Sequence, residues 1–192
     1  MTFARLRDAV RAELGQHHRY AHSVRVARLA ETLARVHEAD ASNARLAGML
    51  HDIARLYSEE DLIAQCERRG VSIDSFARQH PIVLHAPLGA RLAQERFGVS
   101  DPEVLSAIAK HTLGARDMSL ADCVLYLADA LEPGRRFEER AALLDLSMRD
   151  LGAGMAATIR SSLRYLHERR LRPAPQTLEM LRTVEESTGG HR

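Results

Sequence analysis

The stretch ARLAGMLHDIAR, residues 44–55, decides the fold. Ala44, Leu46, Ala47, Leu50, Ile53 and Ala54 recur at the spacing of one helical face, and the small residues among them let a neighbouring helix approach closely. Into that apolar run the chain sets an adjacent imidazole and carboxylate, His51 and Asp52, which are expensive to bury without partners. Working outward, Phe3, Leu6, Val10 and Leu14 predict a first helix, with Thr2 able to cap it and Gly15 able to stop it. Val24, Val26, Leu29, Ala30, Leu33 and Val36 predict a second, so the 44–55 run is the third and holds His51 and Asp52 within it. Beyond a polar link punctuated by Gly70 and containing a short helix, Pro87 opens a helix that Gly98 ends. Asp101-Pro102 starts the next, which stops near His111, and Ser119 caps another through Leu131 before Pro133-Gly134 breaks it. From Phe137 on, helical patterns alternate with Gly152, Gly154, Pro173 and Pro175, and the tail STGGHR, residues 187–192, has the composition of a frayed end.

No segment alternates with period two between turn signals, so the expected class is all-α, roughly eight helices. With 192 residues, 45% hydrophobic and 28% charged, the chain suits one globular domain over 1–192. The net charge of +1, with acidic residues interleaved among the basic ones, argues against a nucleic-acid surface. Neither a signal-peptide core nor a membrane span is evident, so the expectation is a cytoplasmic protein with no membrane partner. Cys66 and Cys123 are far apart and form no CxxC, which fits core thiols better than a disulfide or a thiolate zinc site.

His22 shares a face with Val26 and Leu29, His51 and Asp52 lie in the third helix, and Asp129 follows LYLA. His85 stands just ahead of a helix and His111 at the end of one. Any one of these reads most simply as a hydrogen-bonded core residue. Six of them at helix interiors and ends of one small bundle suit metal coordination, because a bound cation removes the cost of burying carboxylates. Mixed His/Asp donors without cysteine leave iron, manganese, cobalt, nickel or catalytic zinc open. Asp52 is the natural bridge between two ions, which together could hold a hydroxide nucleophile for an in-line displacement. His17, His18, His37, His80, His167 and His191 lack such placement and are taken as surface residues.

In order, His22, His51-Asp52 and Asp129 resemble the H…HD…D signature of HD-domain metal-dependent phosphohydrolases. RYAHSVRV (19–26), ARLAGMLHDIAR (44–55), LHAPLGA (84–90), AIAKHTLGARDMS (107–119) and LYLADALEPGR (125–135) together resemble the YqeK-type branch, symmetrical bis(5′-nucleosyl)-tetraphosphatases. The blocks define a motif-bearing core, 19–136, on which an N-terminal helix (1–18) and C-terminal helices (137–188) are expected to pack. The resemblance implies a helical bundle with a di-metal centre of two divalent ions, often iron, that splits diadenosine tetraphosphate into two ADP by a metal-bound hydroxide. It implies that His22, His51, Asp52 and Asp129 hold one ion and that Asp52, His85 and His111 hold the other. Asp52, Arg55 and Arg135 are the catalytic candidates, and Lys110, Thr112, Gly114, Glu132 and Arg135 the substrate-binding ones. Arg55 departs from the lysine of the family's HDIAK pattern, and a guanidinium fork meets phosphate differently from an ammonium.

The scaffold alone leaves other nucleotides open, a nucleoside monophosphate, a deoxynucleotide or a nucleotide-linked metabolite, and also a non-catalytic nucleotide- or metal-binding module. The missing Gly-Tyr-Pro run ranks cyclic dinucleotides lower. The partner expected is a small nucleotide, and the chain is equally consistent with a monomer or a homodimer.

Overall fold

The computed structural model describes residues 3–15 and 17–189, and every regular element among them is helical. Thr2, Gly190–Arg192 with His191, and the side chain of His17 lie outside the described set. The order is α1 (Phe3–Leu14), α2 (His17–Val36), α3 (Ala41–Leu50), α4 (Glu59–Arg68), α5 (Ser75–Gln79), a 3-10 turn (Pro81–Leu84), then α6 (His85–Phe97) and α7 (Pro102–Lys110). It continues with α8 (Leu120–Leu131), α9 (Arg140–Arg149), α10 (Leu151–Glu168) and α11 (Pro175–Gly189). Eleven helices stand among the described residues where roughly eight were expected. The link around Gly70 holds two short helices and a 3-10 turn rather than one helix, and the region after Phe137 resolves into three. α11 also continues through Gly189, into the stretch whose composition suggested fraying.

Side-chain caps fix the starts. Asp40 accepts from the amides of Ser42 and Asn43 ahead of α3, and Asp101 from Glu103 and Val104 ahead of α7. Ser119 and Asp122 form a reciprocal capping box on α8. Gly98, at φ 69°, takes the left-handed C-cap of α6 that a residue with a Cβ adopts only at a cost.

Helices α2, α3, α6, α7 and α8 form the centre and pack directly on one another. α2 and α3 make the most extensive contact, at backbone distance: a Cβ on Gly48 would stand 2.7 Å from the Ala27 Cα. α8 is nearly all apolar, and Leu125, Leu127 and Leu131 are fully buried. Burial of that kind contributes roughly 1.5–3 kcal/mol per leucine relative to exposure. α1 covers α2 on one side, while α9 and α10 cover α8 on the other. This shell supports polar residues that the core helices aim inward.

Two boundaries differ from the sequence expectation where it matters. α3 ends at Leu50, so His51 is its C-cap, and residues 51–57 continue as successive tight turns with Ile53 N–H donating to Leu50 O and Arg55 N–H to Asp52 O. α6 begins at His85 rather than at Pro87, directly behind the 3-10 turn. With His111 the C-cap of α7, three of the candidate ligands stand at helix ends. His37 is not a free surface residue: its Nε2 lies 2.7 Å from Ser147 O and ties α2 to α9.

Candidate metal centre

The four candidate histidines are oriented by the atoms behind them. Nδ1 of His51, His85 and His111 faces the carbonyl three residues earlier, Gly48 at 2.8 Å, Ile82 at 2.5 Å and Ile108 at 2.7 Å. Nδ1 of His22 faces Glu132 Oε1 at 3.1 Å. Carbonyls and carboxylates only accept, so each Nδ1 carries the proton and each Nε2 points inward, that of His22 facing a second acceptor, Asp129 Oδ1, at 3.1 Å. The approach of α6 to this turn needs Gly89, whose added Cβ would sit 3.3 Å from His51 O.

Inside, Nε2 of His85 and Nε2 of His111 stand 3.2 Å apart, and Asp52 Oδ1 lies 3.4 Å from His85 Nε2. Burial lowers both imidazoles, His111 to about 3, so at neutral pH neither supplies a second proton. Two lone pairs and a carboxylate oxygen thus converge with one donor nearby, the Thr112 hydroxyl, 3.1 Å from His111 Nε2 and 3.2 Å from His85 Nε2. Such a set is repulsive until a cation sits among it. On the other side, His22 Nε2 is 3.2 Å from His51 Nε2 and 3.1 Å from Asp129 Oδ1. Asp52 Oδ2 is 3.8 Å from both of those imidazoles. Glu132 and Asp129 draw His22 toward its charged form against the effect of its burial, so this half too calls for positive charge. Ligand atoms about 2.1 Å from a common ion are roughly 3.0–3.4 Å apart, which these separations approach.

Asp52 joins the halves, with Oδ2 toward His22 and His51 and Oδ1 toward His85. Burial would raise its carboxyl, yet His51, His85 and His111 bring it down to about 2. Asp129 falls well below the ordinary carboxylate range despite burial, through His22, His51 and Arg135. The donor set therefore fits two divalent cations: ligand atoms of His22, His51 and Asp129 cluster together, as do those of His51, Asp52 and His111, and His85 adds to the second set through Asp52 and His111, so that His22, His51, Asp52 and Asp129 could hold one ion and Asp52, His85 and His111 the other.

Three arginines border the two aspartates. Arg19 donates to Asp52 Oδ2 at 3.2 Å, and Arg135 donates to Asp129 Oδ1 at 2.5 Å and to its backbone carbonyl at 3.0 Å. Arg55 is half-buried, shifted downward by burial and by Arg19, and makes no ion pair among the described residues. Sequence reasoning had not singled out Arg19, although its place three residues before His22 puts it on the same side of α2.

The remaining candidates sit elsewhere. Lys110 donates to Asp117 O at 2.6 Å and Asp122 Oδ2 at 2.8 Å, so its charge stabilises the start of α8 instead of facing the aspartates. Gly114, at φ 69°, gives room to Met180, whose sulfur an added Cβ would strike; its role is the docking of α11. Glu132 is 2% exposed, and both of its oxygens are engaged by Arg25, His22 and the Gly134 amide. It orients His22 from behind, where a nucleotide does not reach. Gly134 matters for the same contact, because a Cβ there would fall on the Arg25 guanidinium.

Residues 19–134 match the family model of the HD domain. The chain is 33% identical over 160 residues to a protein of Bacillus subtilis named symmetrical bis(5′-nucleosyl)-tetraphosphatase, covering 83% of this chain and 86% of that one. A protein of the same name from Staphylococcus aureus is 37% identical over 120 residues, 61% of this chain and 60% of that one. Among solved structures, an HD superfamily hydrolase from Clostridium acetobutylicum, described as involved in NAD metabolism, superposes with a TM-score of 0.92 at 28% identity, over 97% of this chain and 98% of that one. The chain belongs to the HD-domain metal-dependent phosphohydrolases, in the branch of the symmetrical bis(5′-nucleosyl)-tetraphosphatases.

Proposed function

We propose that this enzyme hydrolyses diadenosine tetraphosphate, or a related dinucleoside polyphosphate, symmetrically to two ADP, using a pair of divalent ions, iron foremost and manganese, cobalt, nickel or zinc as alternatives. The observation that carries the reading is the convergence of three imidazole Nε2 atoms, of His22, His51 and His85, on the two oxygens of Asp52, with the fourth, of His111, 3.2 Å from that of His85, and with Arg19 and Arg135 on the two aspartates. The names of the relatives in Bacillus and Staphylococcus support the substrate class. When bound, the ions would supply Lewis acidity, which activates water near neutral pH and polarises phosphoryl oxygens.

The chain's own residues supply the rest. The Nδ1–H groups stay on the imidazoles and donate to their carbonyls and to Glu132, so the imidazoles keep a fixed tautomer and direction. The half-buried guanidinium of Arg55, without an ion pair among the described residues, would take a phosphate oxygen together with Arg135, offsetting charge that builds as the bridging P–O bond lengthens. Water adds to one of the two central phosphorus atoms, the bond to the central bridging oxygen breaks, ADP leaves, and the protons of the attacking water pass to solvent and product. No AMP, ATP or inorganic phosphate forms.

The test is chromatographic identification of products from diadenosine tetraphosphate with metal-replete enzyme. ADP as sole product is expected. AMP with ATP, or no turnover while a control tetraphosphatase works in the same buffer, would overturn the assignment. The Clostridium neighbour's description puts a pyrophosphate-linked dinucleotide in the same panel, and inorganic phosphate from monophosphates would point to a monophosphatase instead.

A further inference from the structure

A cleft of about 690 Å³ opens beside the metal centre, and most of its wall comes from residues 135–168, beyond the segment that matches the HD family. His111, Thr112 and Asp129 form its inner edge, so it is continuous with the reacting site. A cleft of this volume, lined by Phe137, Leu143, Leu166 and two tyrosines among charged and hydroxyl-bearing side chains, suits a small organic ligand with an apolar ring and polar groups.

We propose that this cleft is the nucleoside subsite, and that Phe137 and Tyr165 are its base-stacking residues. The proposal rests on the functional reading above for the identity of the substrate. The protein has four Phe, four Tyr and no Trp, and three of those eight aromatics, Tyr126, Phe137 and Tyr165, line this one cleft. Phe137 and Tyr165 are 41% and 53% exposed, unusual for aromatic side chains unless a partner covers them. Arg169, outside the cleft, lies 4.9 Å from the Tyr165 ring centre and braces it.

The polar inventory agrees with a neutral, hydrogen-bonding ring system. Thr158 lines the cleft, is 2% exposed, and its hydroxyl has no hydrogen-bond partner among the described residues. A buried hydroxyl left unpaired is costly, and a ring nitrogen, exocyclic amine or ribose hydroxyl would satisfy it. Charge divides along the cleft in the way a nucleotide requires. Arg135 and Arg136 stand at the end nearest Asp129, where phosphates would pass. Farther out, Glu139 pairs with Arg164 at 2.7 Å and accepts from the Ser161 hydroxyl at 2.6 Å, and Glu138 and Glu168 join them in the lining, so the outer wall is net acidic and leaves that end to an uncharged base rather than a phosphate.

The test uses the full chain and measures binding apart from turnover. Calorimetric titration with ADP and with adenosine is expected to show at least about tenfold weaker affinity for Phe137→Ala/Tyr165→Ala than for the unaltered protein. Inorganic pyrophosphate, which has no base, probes the phosphate side, and its affinity is expected to fall by far less. For hydrolysis of diadenosine tetraphosphate, the same variant raises KM by more than it lowers kcat. Thr158→Val, nearly isosteric, weakens ADP about fivefold and serves where the double variant folds poorly, which circular dichroism would reveal. ADP affinity within threefold of the unaltered protein in both variants would overturn the proposal. Binding of ADP that depends on Phe137 and Tyr165 in a protein unable to cleave diadenosine tetraphosphate would leave the subsite standing and refute the substrate assignment alone.

Discussion

Replacing Glu132 by Gln probes the layer that aims His22. The carboxylate receives four donors, Arg25 Nε at 2.5 Å, an Arg25 terminal nitrogen at 3.1 Å, the Gly134 amide at 2.5 Å and His22 Nδ1 at 3.1 Å. Glutamine has the same shape, but one of its ends is itself a donor. Whichever way the amide turns, its nitrogen faces at least one donor, in a pocket where Glu132 is 2% exposed. A charge-assisted hydrogen bond is worth about 1.5–3 kcal/mol, and Arg25, with 36% of its side chain exposed, recovers part of that from water. A loss of about 2 kcal/mol in unfolding free energy is therefore expected, read from urea denaturation of chelator-treated protein. If His22 also loses its fixed tautomer, metal affinity drops about 10- to 100-fold, the usual consequence of losing a group that orients a ligand. Competition against a chromophoric chelator measures this directly. Stability within about 0.5 kcal/mol and metal affinity within about threefold of the unaltered protein would refute the orienting role of Glu132.

Three further outcomes follow from single contacts. Arg55→Ala is expected to lower kcat/KM on diadenosine tetraphosphate by at least about tenfold, while Arg55→Lys retains most of it if a charge rather than a fork is what the phosphate needs; steady-state kinetics on both variants decides. Gly48→Ala places a Cβ 2.7 Å from Ala27 Cα and 2.9 Å from its amide nitrogen, so overpacking of about 1–3 kcal/mol exceeds the helix-propensity gain, and the denaturation midpoint falls; an unchanged midpoint would count against the close α2–α3 contact. Burial pushes the Cys66 thiol up to about 11 from an ordinary value of 9.0, so the stabilisation tied to its neutral form is complete below pH 9.0 and is lost as pH rises toward 11, where the unfolded thiol has already ionised. Cys66→Ala should flatten that part of the alkaline decline, and identical slopes in the two proteins would contradict it.

Most of the fold was legible because helix signals are local. Asp101-Pro102, Ser119 and Gly98 do what their chemistry suggests, and the six candidate ligands lie close together. The end of α3 was not legible: Ile53 and Ala54 keep the apolar rhythm of Leu46, Ala47 and Leu50, and periodicity does not distinguish an α-helix from the tight turns that carry His51 and Asp52. The roles of Glu132 and Lys110 depend on partners that sequence spacing does not bring together. Arg25 is 107 residues from Glu132, and the turn that brings the Asp117 carbonyl to Lys110 lies inside the block 107–119, whose residue types do not show which way the lysine faces. Arg19 was hidden by composition, one arginine among many in a chain whose basic residues are arginine at every position but Lys110. The cleft wall on α10 carries no motif because stacking needs only an aromatic face, which any Phe or Tyr supplies.

The proposed work of the paired lone pairs of His85 and His111, with the two-sided carboxylate of Asp52, is to hold divalent ions. Elemental analysis of the protein purified without chelators, or loaded anaerobically with iron or manganese, tests it most directly. About two ions per chain are expected, falling to near zero in Asp52→Ala. A protein that takes up no metal after loading, or an Asp52→Ala variant that keeps its full complement, would contradict the account.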